Sequence, residues 1–305
     1  MGLSTVSVFK NIDVENNPNL KVLDDSELHQ LQGVLFDMLR DFDLFCRRNQ
    51  IEYSLAGGSM LGAVRHGGFI PWDDDVDLLM SRQDYDRLRD CFEQQMGDEY
   101  WLHTPEDTHN YGLGMARVRK KGTLCRSRED VYNDECGVYI DIFIMENTYN
   151  FVPLRYIHGF LSLSVGFILS CRCFYRNKNF YLDLVKNDVE ATKVFKKKIL
   201  LGKIFALLSV DTWTHLWNNI NSMCKNNKTR FVTVPVGRKH FFKELYSRSW
   251  ACEMTDIPYT FDGISTSLRV MEGKENYLSS LYGDYMTLPD PKDIEKHVVL
   301  ELKLD

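Results

Sequence analysis

The spacing of apolar residues along the first part of the chain predicts a helix, a strand and a second, short helix. Apolar side chains recur every three or four positions from Leu28 to Phe45, so they share one helical face. Ser26 is placed to cap this helix, which should end near Arg48. Apolar residues then alternate with polar or small ones over 51–55, which predicts a strand. Ser59 can cap the short helix that follows over 60–65.

The next stretch alternates strands with helices and turns. A strand is expected over 72–80, and Ser81 begins a helix that Gly97 ends. Residues 114–125 have the pattern of a hairpin, and the almost wholly apolar run 137–145 has that of a buried central strand. These elements predict an α/β (α+β) fold in which helices pack on a small mixed sheet.

The pattern divides the whole chain into four parts. Residues 1–25 form a polar lead-in, and 26–146 form the α/β core. The apolar pattern over 147–245 is helical but less regular, which predicts a helical middle region. Proline and glycine punctuate 246–305, which we expect to be a C-terminal segment that returns to the core.

One segment of the helical region, Tyr156 to Ser170, contains no Lys, Arg, Asp or Glu. It is about five residues shorter than the ~20 that a membrane-spanning helix needs, so we expect a buried helix. The alternative is a helix on a membrane surface, which the basic run Lys196–Lys198 ahead of a second apolar stretch favours.

Composition and charge limit the classes of function. The chain has 305 residues, 44% of them apolar, which allows a sizeable core and argues against general disorder. Its 37 basic and 43 acidic residues give a net charge of −6, whereas nucleic-acid-binding domains are normally basic, so no nucleic-acid partner is expected. The eight cysteines include no CxxC pair, and no basic start followed by an apolar run opens the sequence. We therefore expect a cytoplasmic protein with free thiols, and peripheral contact at the inner face of the membrane as the alternative.

Four carboxylates within five positions, Asp73, Asp74, Asp75 and Asp77, interrupt the apolar pattern of the strand expected over 72–80. On a strand, Asp75 and Asp77 would point to the same face roughly 6–7 Å apart, and a cation between them would relieve their repulsion. Because these ligands are all oxygen atoms, they favour Mg²⁺ or Mn²⁺ over zinc.

A third carboxylate is expected to join this metal site. Asp141 is the lone charge in the apolar run 137–145, and a buried carboxylate without a partner is costly. A metal held by Asp75, Asp77 and Asp141 would remove that cost. The simpler alternative is that these aspartates cap turns or pair with nearby arginines, but it leaves Asp141 unexplained.

A phosphate site is predicted beside the metal. Gly57, Gly58 and Ser59 precede a helix, so backbone N–H groups and a hydroxyl meet at the positive end of the helix dipole. A Gly-Ser turn alone is a weak signal, but it is stronger ahead of an Asp-x-Asp strand. Together these residues predict a nucleotide phosphate held next to a divalent metal.

Four basic residues are candidate substrate contacts. Arg117 and Arg119 lie on one face of a predicted strand, where they would either grip phosphate oxygens or face solvent. Arg65 and His66 follow the short helix and precede the acidic strand. We expect one of them to contact substrate, and the alternative is pairing with the acidic cluster.

The sequence resembles the LicD family of phosphocholine and polyol-phosphate transferases in four stretches: AGGSMLGAVRHGGFIPWDDDVDLLMSRQDYDRL, ARVRKKGT, GVYIDIF and LYGDYMTLP. The resemblance covers most of 51–146 and, more thinly, 240–297. It implies a nucleotidyltransferase-type fold whose Gly-Ser turn binds phosphates and whose three carboxylates, the ones named above, bind the metal and act in catalysis. These are the same residues that the chemistry of the sequence singles out.

The resemblance also implies a reaction. The enzyme would transfer phosphocholine or a polyol phosphate from a CDP-linked donor, such as CDP-choline, to a sugar hydroxyl of a cell-surface glycan: lipopolysaccharide, teichoic acid or capsule, free or lipid-linked. Asp141 would share the metal or accept the hydroxyl proton. The alternatives are a nucleotidyltransferase that uses a nucleoside triphosphate and releases pyrophosphate, and an inactive scaffold that binds nucleotide or glycan.

Overall fold

The structure is a computed structural model that describes residues 20–131, 133–290 and 298–304. Most of the polar lead-in expected over 1–25 lies outside the described residues. Within them, the fold is the mixed α/β arrangement that the pattern predicts.

The main sheet has seven strands among the described residues. They are β2 (Ser54–Leu55), β3 (Asp77–Ser81), β4 (Tyr100–His103), β5 (Ala116–Lys120), β7 (Tyr139–Asn147), β8 (Phe231–Thr233) and β9 (Leu245–Ser247). Their order is β2-β3-β7-β5-β4, and β8 continues the sheet by pairing with the end of β7 and with β9. Only β3 and β7 run parallel, so the sheet is mixed.

Three two-stranded pairs lie beside the main sheet. They are β1 (Lys21–Val22) with β12 (Val298–Val299), β6 (Leu124–Arg126) with β13 (Glu301–Lys303), and the hairpin of β10 (Met254–Phe261) and β11 (Ile264–Met271). The hairpin adds buried side chains such as Leu268 and Val270 to the core that α1 and the central strands share.

The helices occupy the flanks of the sheet and the middle of the chain. They are α1 (Asp25–Arg48), α2 (Gly57–His66), α3 (Arg82–Met96), α4 (Val152–Arg176), α5 (Lys178–Leu184), α6 (Val189–Ile204), α7 (Val210–Asn221), α8 (His240–Lys243), α9 (Arg248–Ala251) and α10 (Lys274–Tyr282). The apolar stripe of α1, including Leu35 and Phe42, is fully buried against the sheet and the hairpin.

Two helices, α1 and α2, are capped by residues other than the expected ones. Asp24 rather than Ser26 caps α1, because its carboxylate accepts from the backbone N–H of Glu27 at 2.8 Å while Glu27 accepts from the N–H of Asp24. Ser59 does not cap α2. The helix begins at Gly57 after Ala56, and Ser59 lies inside its first turn.

Two expected strand boundaries are also wrong. The strand expected from residue 72 begins only at Asp77, so Asp73, Asp74 and Asp75 lie in the loop before it. The hairpin expected over 114–125 does not form, because both edges of β5 are already paired, with β4 and β7, and β6 pairs with β13 instead. The positive φ of Gly122 supplies the turn between them.

The middle region is helical from α4 to α7, but two strands, β8 and β9, follow where more helix was expected. Among the described residues, α4 is the one helix long and apolar enough to cross a membrane by length and composition. Its inner face is buried, and its outer face is exposed along much of the N-terminal half. The expectation of a buried helix therefore holds for one face only.

Candidate active site

Three charged side chains form a row across the centre of the sheet. Asp77 on β3 is directly opposite Asp141 on β7, and Asp141 is directly opposite Arg117 on β5. Residues that are opposite each other on neighbouring strands project from the same face. The pairing of β3, β7 and β5 therefore brings Asp77, Asp141 and Arg117 together, although they are distant in sequence.

The link between Asp141 and Arg117 is a buried, two-pronged ion pair. Nε of Arg117 donates to Oδ1 of Asp141 at 2.6 Å, and Nη2 donates to Oδ2 at 3.2 Å. The guanidinium also lies 4.0 Å from the centre of the Tyr139 ring. Burial raises the pKa of Asp141, and the charge of Arg117 opposes that rise. Arg117 thus fixes the orientation of the carboxylate and favours its ionised form.

A second arginine, Arg119, is buried next to this pair and shares the partner Asp130 with Arg117. Arg119 is fully buried and donates to Asp130 at 2.7 Å, and the hydroxyl of Ser127 donates to the same carboxylate at 2.6 Å. Burial opposes ionisation of Asp130, but Arg119 and Arg117 outweigh it and hold the pKa of that carboxyl below its usual range. The solvent-facing alternative for the two arginines is therefore wrong. Arg119 is also not placed to contact phosphate oxygens, which was the other expectation, because its side chain has no exposed surface.

The acidic loop before β3 brings further carboxylates to the site. Asp73, Asp74 and Asp75 each offer an oxygen within 4.8 Å of the others. Burial raises the pKa of Asp75 and of Asp77, and the charges of neighbouring carboxylates raise both further. The structure brings Asp75 together with Asp73 and Asp74. The expectation that Asp75 and Asp77 alternate along one strand is wrong, because Asp75 precedes the strand.

The start of α2 lies directly against these carboxylates. Gly57 has a φ of +48°, and a Cβ on it would lie 2.7 Å from an oxygen of Asp77. A Cβ on Gly58 would lie 2.4 Å from an oxygen of Asp73. The hydroxyl of Ser59 accepts from the backbone N–H of Asp77 at 2.9 Å, which ties α2 to the first residue of β3. The positive φ favours glycine at position 57, and a larger residue at position 58 would have to displace the carboxylate of Asp73.

The C-terminal segment reaches the same place. The hydroxyl of Tyr277 on α10 accepts from the backbone N–H of Gly57 at 3.1 Å. Burial raises the pKa of Tyr282, and the charges of Asp77, Asp73 and Asp75 raise it further. Arg65 donates to the carbonyl of Tyr285 at 2.9 Å and thereby holds this segment, while His66 is exposed beside it. The C-terminal segment therefore contacts both ends of α2, next to the acidic residues.

Several residues of the site carry no signal of their own in the sequence. Tyr277 is one of fifteen tyrosines, and nothing in its local pattern indicates that it binds Gly57. Asp130 and Ser127 lie in an irregular loop, so no periodic pattern places them behind Arg119. Tyr139 begins the apolar strand and is predicted as core rather than as the surface on which Arg117 lies.

Comparisons with known proteins agree with this architecture. The family model described as LicD/FKTN/FKRP, nucleotidyltransferase domain, matches residues 50–158, which include the row of charged residues and the start of α2. The chain is 29% identical to the lipopolysaccharide cholinephosphotransferase LicD of Haemophilus influenzae over 289 residues, which are 90% of this chain and 97% of that protein.

Two shorter similarities fall within smaller parts of the chain. The chain is 59% identical to the human ribitol 5-phosphate transferase FKRP over 34 residues, which are 11% of this chain and 7% of that protein. It is 37% identical to the uncharacterized protein RP689 of Rickettsia prowazekii over 60 residues, 20% of this chain and 23% of the relative. Residues 50–158 thus match the LicD-family nucleotidyltransferase domain, and the homology to a cholinephosphotransferase over 90% of the chain supports a LicD-type phosphotransferase.

Proposed function

We propose that this enzyme transfers a phosphorylated alcohol, phosphocholine or a polyol phosphate, from a CDP-linked donor to a sugar hydroxyl of a cell-surface glycan. The similarity to a lipopolysaccharide cholinephosphotransferase over nearly the whole chain supports a glycan acceptor and phosphocholine. The short similarity to a ribitol 5-phosphate transferase supports a polyol phosphate as the other choice. The eight free cysteines support a cytoplasmic location, where thiols stay reduced.

The row of Asp77, Asp141 and Arg117 beside the glycine start of α2 is the observation that carries this proposal. Phosphoryl transfer needs positioning and charge neutralisation more than covalent chemistry by the protein. The row offers carboxylates held in fixed orientations, and the helix start offers backbone N–H groups next to them. A diphosphate bound between the two would meet both features at once.

A divalent cation fits the donor set of this site. Asp75, Asp77 and Asp141 offer only oxygen atoms, which suits Mg²⁺ or Mn²⁺. Burial raises the pKa of all three carboxyls, and neighbouring carboxylates raise those of Asp75 and Asp77 further. We propose that these three residues hold the cation. When bound, it would neutralise charge on the diphosphate and on the leaving group.

In the proposed reaction, the acceptor hydroxyl oxygen forms a bond to the phosphorus that carries the alcohol. The bond from that phosphorus to the bridging oxygen breaks, and cytidine monophosphate leaves with the electron pair. The hydroxyl proton passes to a carboxylate or to water. Arg117 occupies one lone pair on each oxygen of Asp141, so each keeps another for a cation or for this proton. The backbone N–H of Gly57 is donated to Tyr277, so the N–H groups of Gly58 and Ser59 are the ones that would bind phosphate oxygens and hold the donor in line.

A donor panel tests the proposal. Purified protein is incubated with CDP-choline, CDP-ribitol, CDP-glycerol and CTP, with and without Mg²⁺ and with a crude glycan acceptor, and the released nucleotide is identified. Mg²⁺-dependent cytidine monophosphate from one CDP-linked donor is the expected result, and it names the alcohol. Pyrophosphate from CTP would instead show a nucleotidyltransferase. No turnover together with no Mg²⁺-dependent nucleotide binding would favour a scaffold.

A further inference from the structure

A single stripe of aromatic residues follows α4 and is exposed over only part of its length. Phe160, Phe167 and Phe174 are seven positions apart, which is almost two helical turns, so they share one face. Phe174 is buried, and its ring centre lies 5.1 Å from that of Phe195 on α6. Phe160 and Phe167 are exposed. α6 therefore covers the C-terminal part of the stripe and leaves the N-terminal part open.

The outward face of α6 continues this exposed surface. Phe195 and Gly202, again seven apart, form its inner face, and the carbonyl of Gly202 accepts from Arg172 of α4 at 3.1 Å. Leu200 and Ile204 are exposed on the opposite side. The turn after α6 adds Leu207, which is 97% exposed and is therefore an apolar side chain with almost no protein around it.

Around this apolar surface the charge is positive. α4 contains no Asp or Glu, and α6 contains five lysines and one glutamate. That glutamate, Glu190, pairs with Lys193. Lys196, Lys197 and Lys203 are exposed and form no ion pair with any of the residues that the structure describes. A chain with a net charge of −6 thus places free positive charge beside its exposed aromatic and aliphatic side chains.

We propose that this surface docks on a lipid bilayer that contains anionic lipid. We call it the outer helical surface, formed by the exposed residues Tyr156, Ile157, Phe160, Leu163 and Phe167 of α4 and Lys196, Lys197, Leu200, Lys203, Ile204 and Leu207 of α6 and the following turn. Apolar side chains that enter the interface and lysines that meet lipid phosphates are the two components of such binding. The inference stands independently of the proposed function.

The helix lies on the membrane rather than across it. The inner face of α4 makes buried polar contacts with the end of α7. Nε2 of His158 lies 2.9 Å from the carbonyl of Ile220, and the hydroxyl of Ser162 donates to Asn221 at 2.6 Å. A spanning helix would lose these contacts to hydrocarbon, where nothing replaces them. Docking in the plane keeps them and immerses only the exposed face.

A second copy of this chain fits the surface less well. A two-fold dimer uses the same surface of both copies, and the residues that define the outer helical surface include three lysines and no Asp or Glu. Lys196, Lys197 and Lys203 would then find no carboxylate on the same surface of the second copy, whereas an anionic bilayer supplies negative charge for them.

Vesicle co-sedimentation tests the proposal with the whole chain. Vesicles of phosphatidylcholine alone are compared with vesicles that also contain phosphatidylglycerol. The apolar variant is F160S/L207S, and its control is Leu44→Ser, an exposed leucine on α1. The charge variant is K196E/K197E, and its control is Lys228→Glu, an exposed lysine outside the surface. Circular dichroism checks that each variant is folded.

We expect the wild-type protein to bind the anionic vesicles and to bind the neutral ones weakly. Each double variant should weaken binding by about tenfold or more, since each lysine near a charged bilayer is worth about 1 kcal/mol and each buried CH₂ about 0.8 kcal/mol. The controls should bind as the wild type does. No sedimentation of wild type with anionic vesicles would overturn the proposal, as would an equal loss in the controls. A dimer in analytical ultracentrifugation that F160S/L207S abolishes, without vesicle binding, would assign the surface to a second copy.

Discussion

Removing the guanidinium of Arg117 should be among the most damaging single changes in this chain. Asp141 has only 7% of its surface exposed, and both of its oxygens accept hydrogen bonds from Arg117. Arg117→Met leaves this carboxylate buried without its partner, while Asp130 keeps Arg119. Breaking a buried ion pair by removing one partner costs roughly 3–5 kcal/mol, and we expect a loss of unfolding free energy in that range.

A double-mutant cycle measures the coupling energy between Arg117 and Asp141. Urea unfolding is measured for wild type, Arg117→Met, Asp141→Asn and the double variant. The double variant has neither charge. Its loss of unfolding free energy should therefore be smaller, by about 2–3 kcal/mol, than the sum of the losses in Arg117→Met and Asp141→Asn. Arg117→Lys, which keeps the charge but loses the two-pronged contact, should cost less than Arg117→Met. Arg48→Met, an exposed arginine at the end of α1, is the control and should change little.

Additive losses of unfolding free energy in the double variant would contradict a coupling between Asp141 and Arg117. If the two single costs add in the double variant to within about 0.5 kcal/mol, Asp141 and Arg117 are not energetically coupled. The buried pair could then not be what holds Asp141 in the row. An Arg117→Met variant as stable as Arg48→Met would have the same meaning.

Three further changes test other parts of the structure. Gly58→Ala places a Cβ 2.4 Å from an oxygen of Asp73, so the carboxylate must shift; we expect a several-fold higher KM for the donor with a nearly unchanged melting temperature. Gly62→Ala places a Cβ 2.5 Å from the carbonyl of Gly68, which cannot yield easily, so we expect a loss of about 1–3 kcal/mol in unfolding free energy. Burial lowers the pKa of His158, so stability should fall as the pH is lowered through about 6.5, where the unfolded chain binds the proton first, and His158→Gln should flatten that dependence in a urea titration.

Each of these has a result that contradicts it. Gly33→Ala, whose Cβ would make only an ordinary contact at 3.6 Å, is the control for both glycine changes, and an equal effect there would rule out a steric cause. Unchanged donor KM in Gly58→Ala would show that the start of α2 does not bind donor. An equal pH dependence in wild type and His158→Gln would assign the titration to another group.

The sequence predicts long helices and an acidic cluster better than it predicts strand boundaries and strand pairing. Helical spacing predicts α1 and α3 well because their apolar stripes are long and uninterrupted. The acidic cluster indicates a site because carboxylates set among apolar residues are costly to bury unless a cation or a basic group offsets their charge. The sequence does not show which strands are neighbours in the sheet. Asp77, Asp141 and Arg117 come together because β7 lies between β3 and β5.

The errors have a common physical origin in tertiary context. Residues 114–125 read locally as a hairpin, but β5 is a strand inside a sheet, so its two neighbours come from elsewhere in the chain. Arg119 reads as a surface or substrate residue, yet it is buried, and its two Nη atoms donate to Asp130 and to the carbonyl of Gly137. Ser59 reads as a cap, and it instead accepts from the N–H of Asp77 on another element. None of these partners lies within a local sequence window.

The measurement that tests the central claim most directly is Mg²⁺-dependent release of cytidine monophosphate from the donor that the panel selects, compared between wild type and Asp77→Asn. Asp98→Asn, which changes an exposed aspartate in the turn after α3, is the matched control. We expect release by wild type and by the control to rise with Mg²⁺, and release by Asp77→Asn to fall by about a hundredfold or more with the protein still folded. Release that is independent of Mg²⁺, or that is equal in Asp77→Asn and wild type, would contradict a phosphotransferase centred on this row of residues.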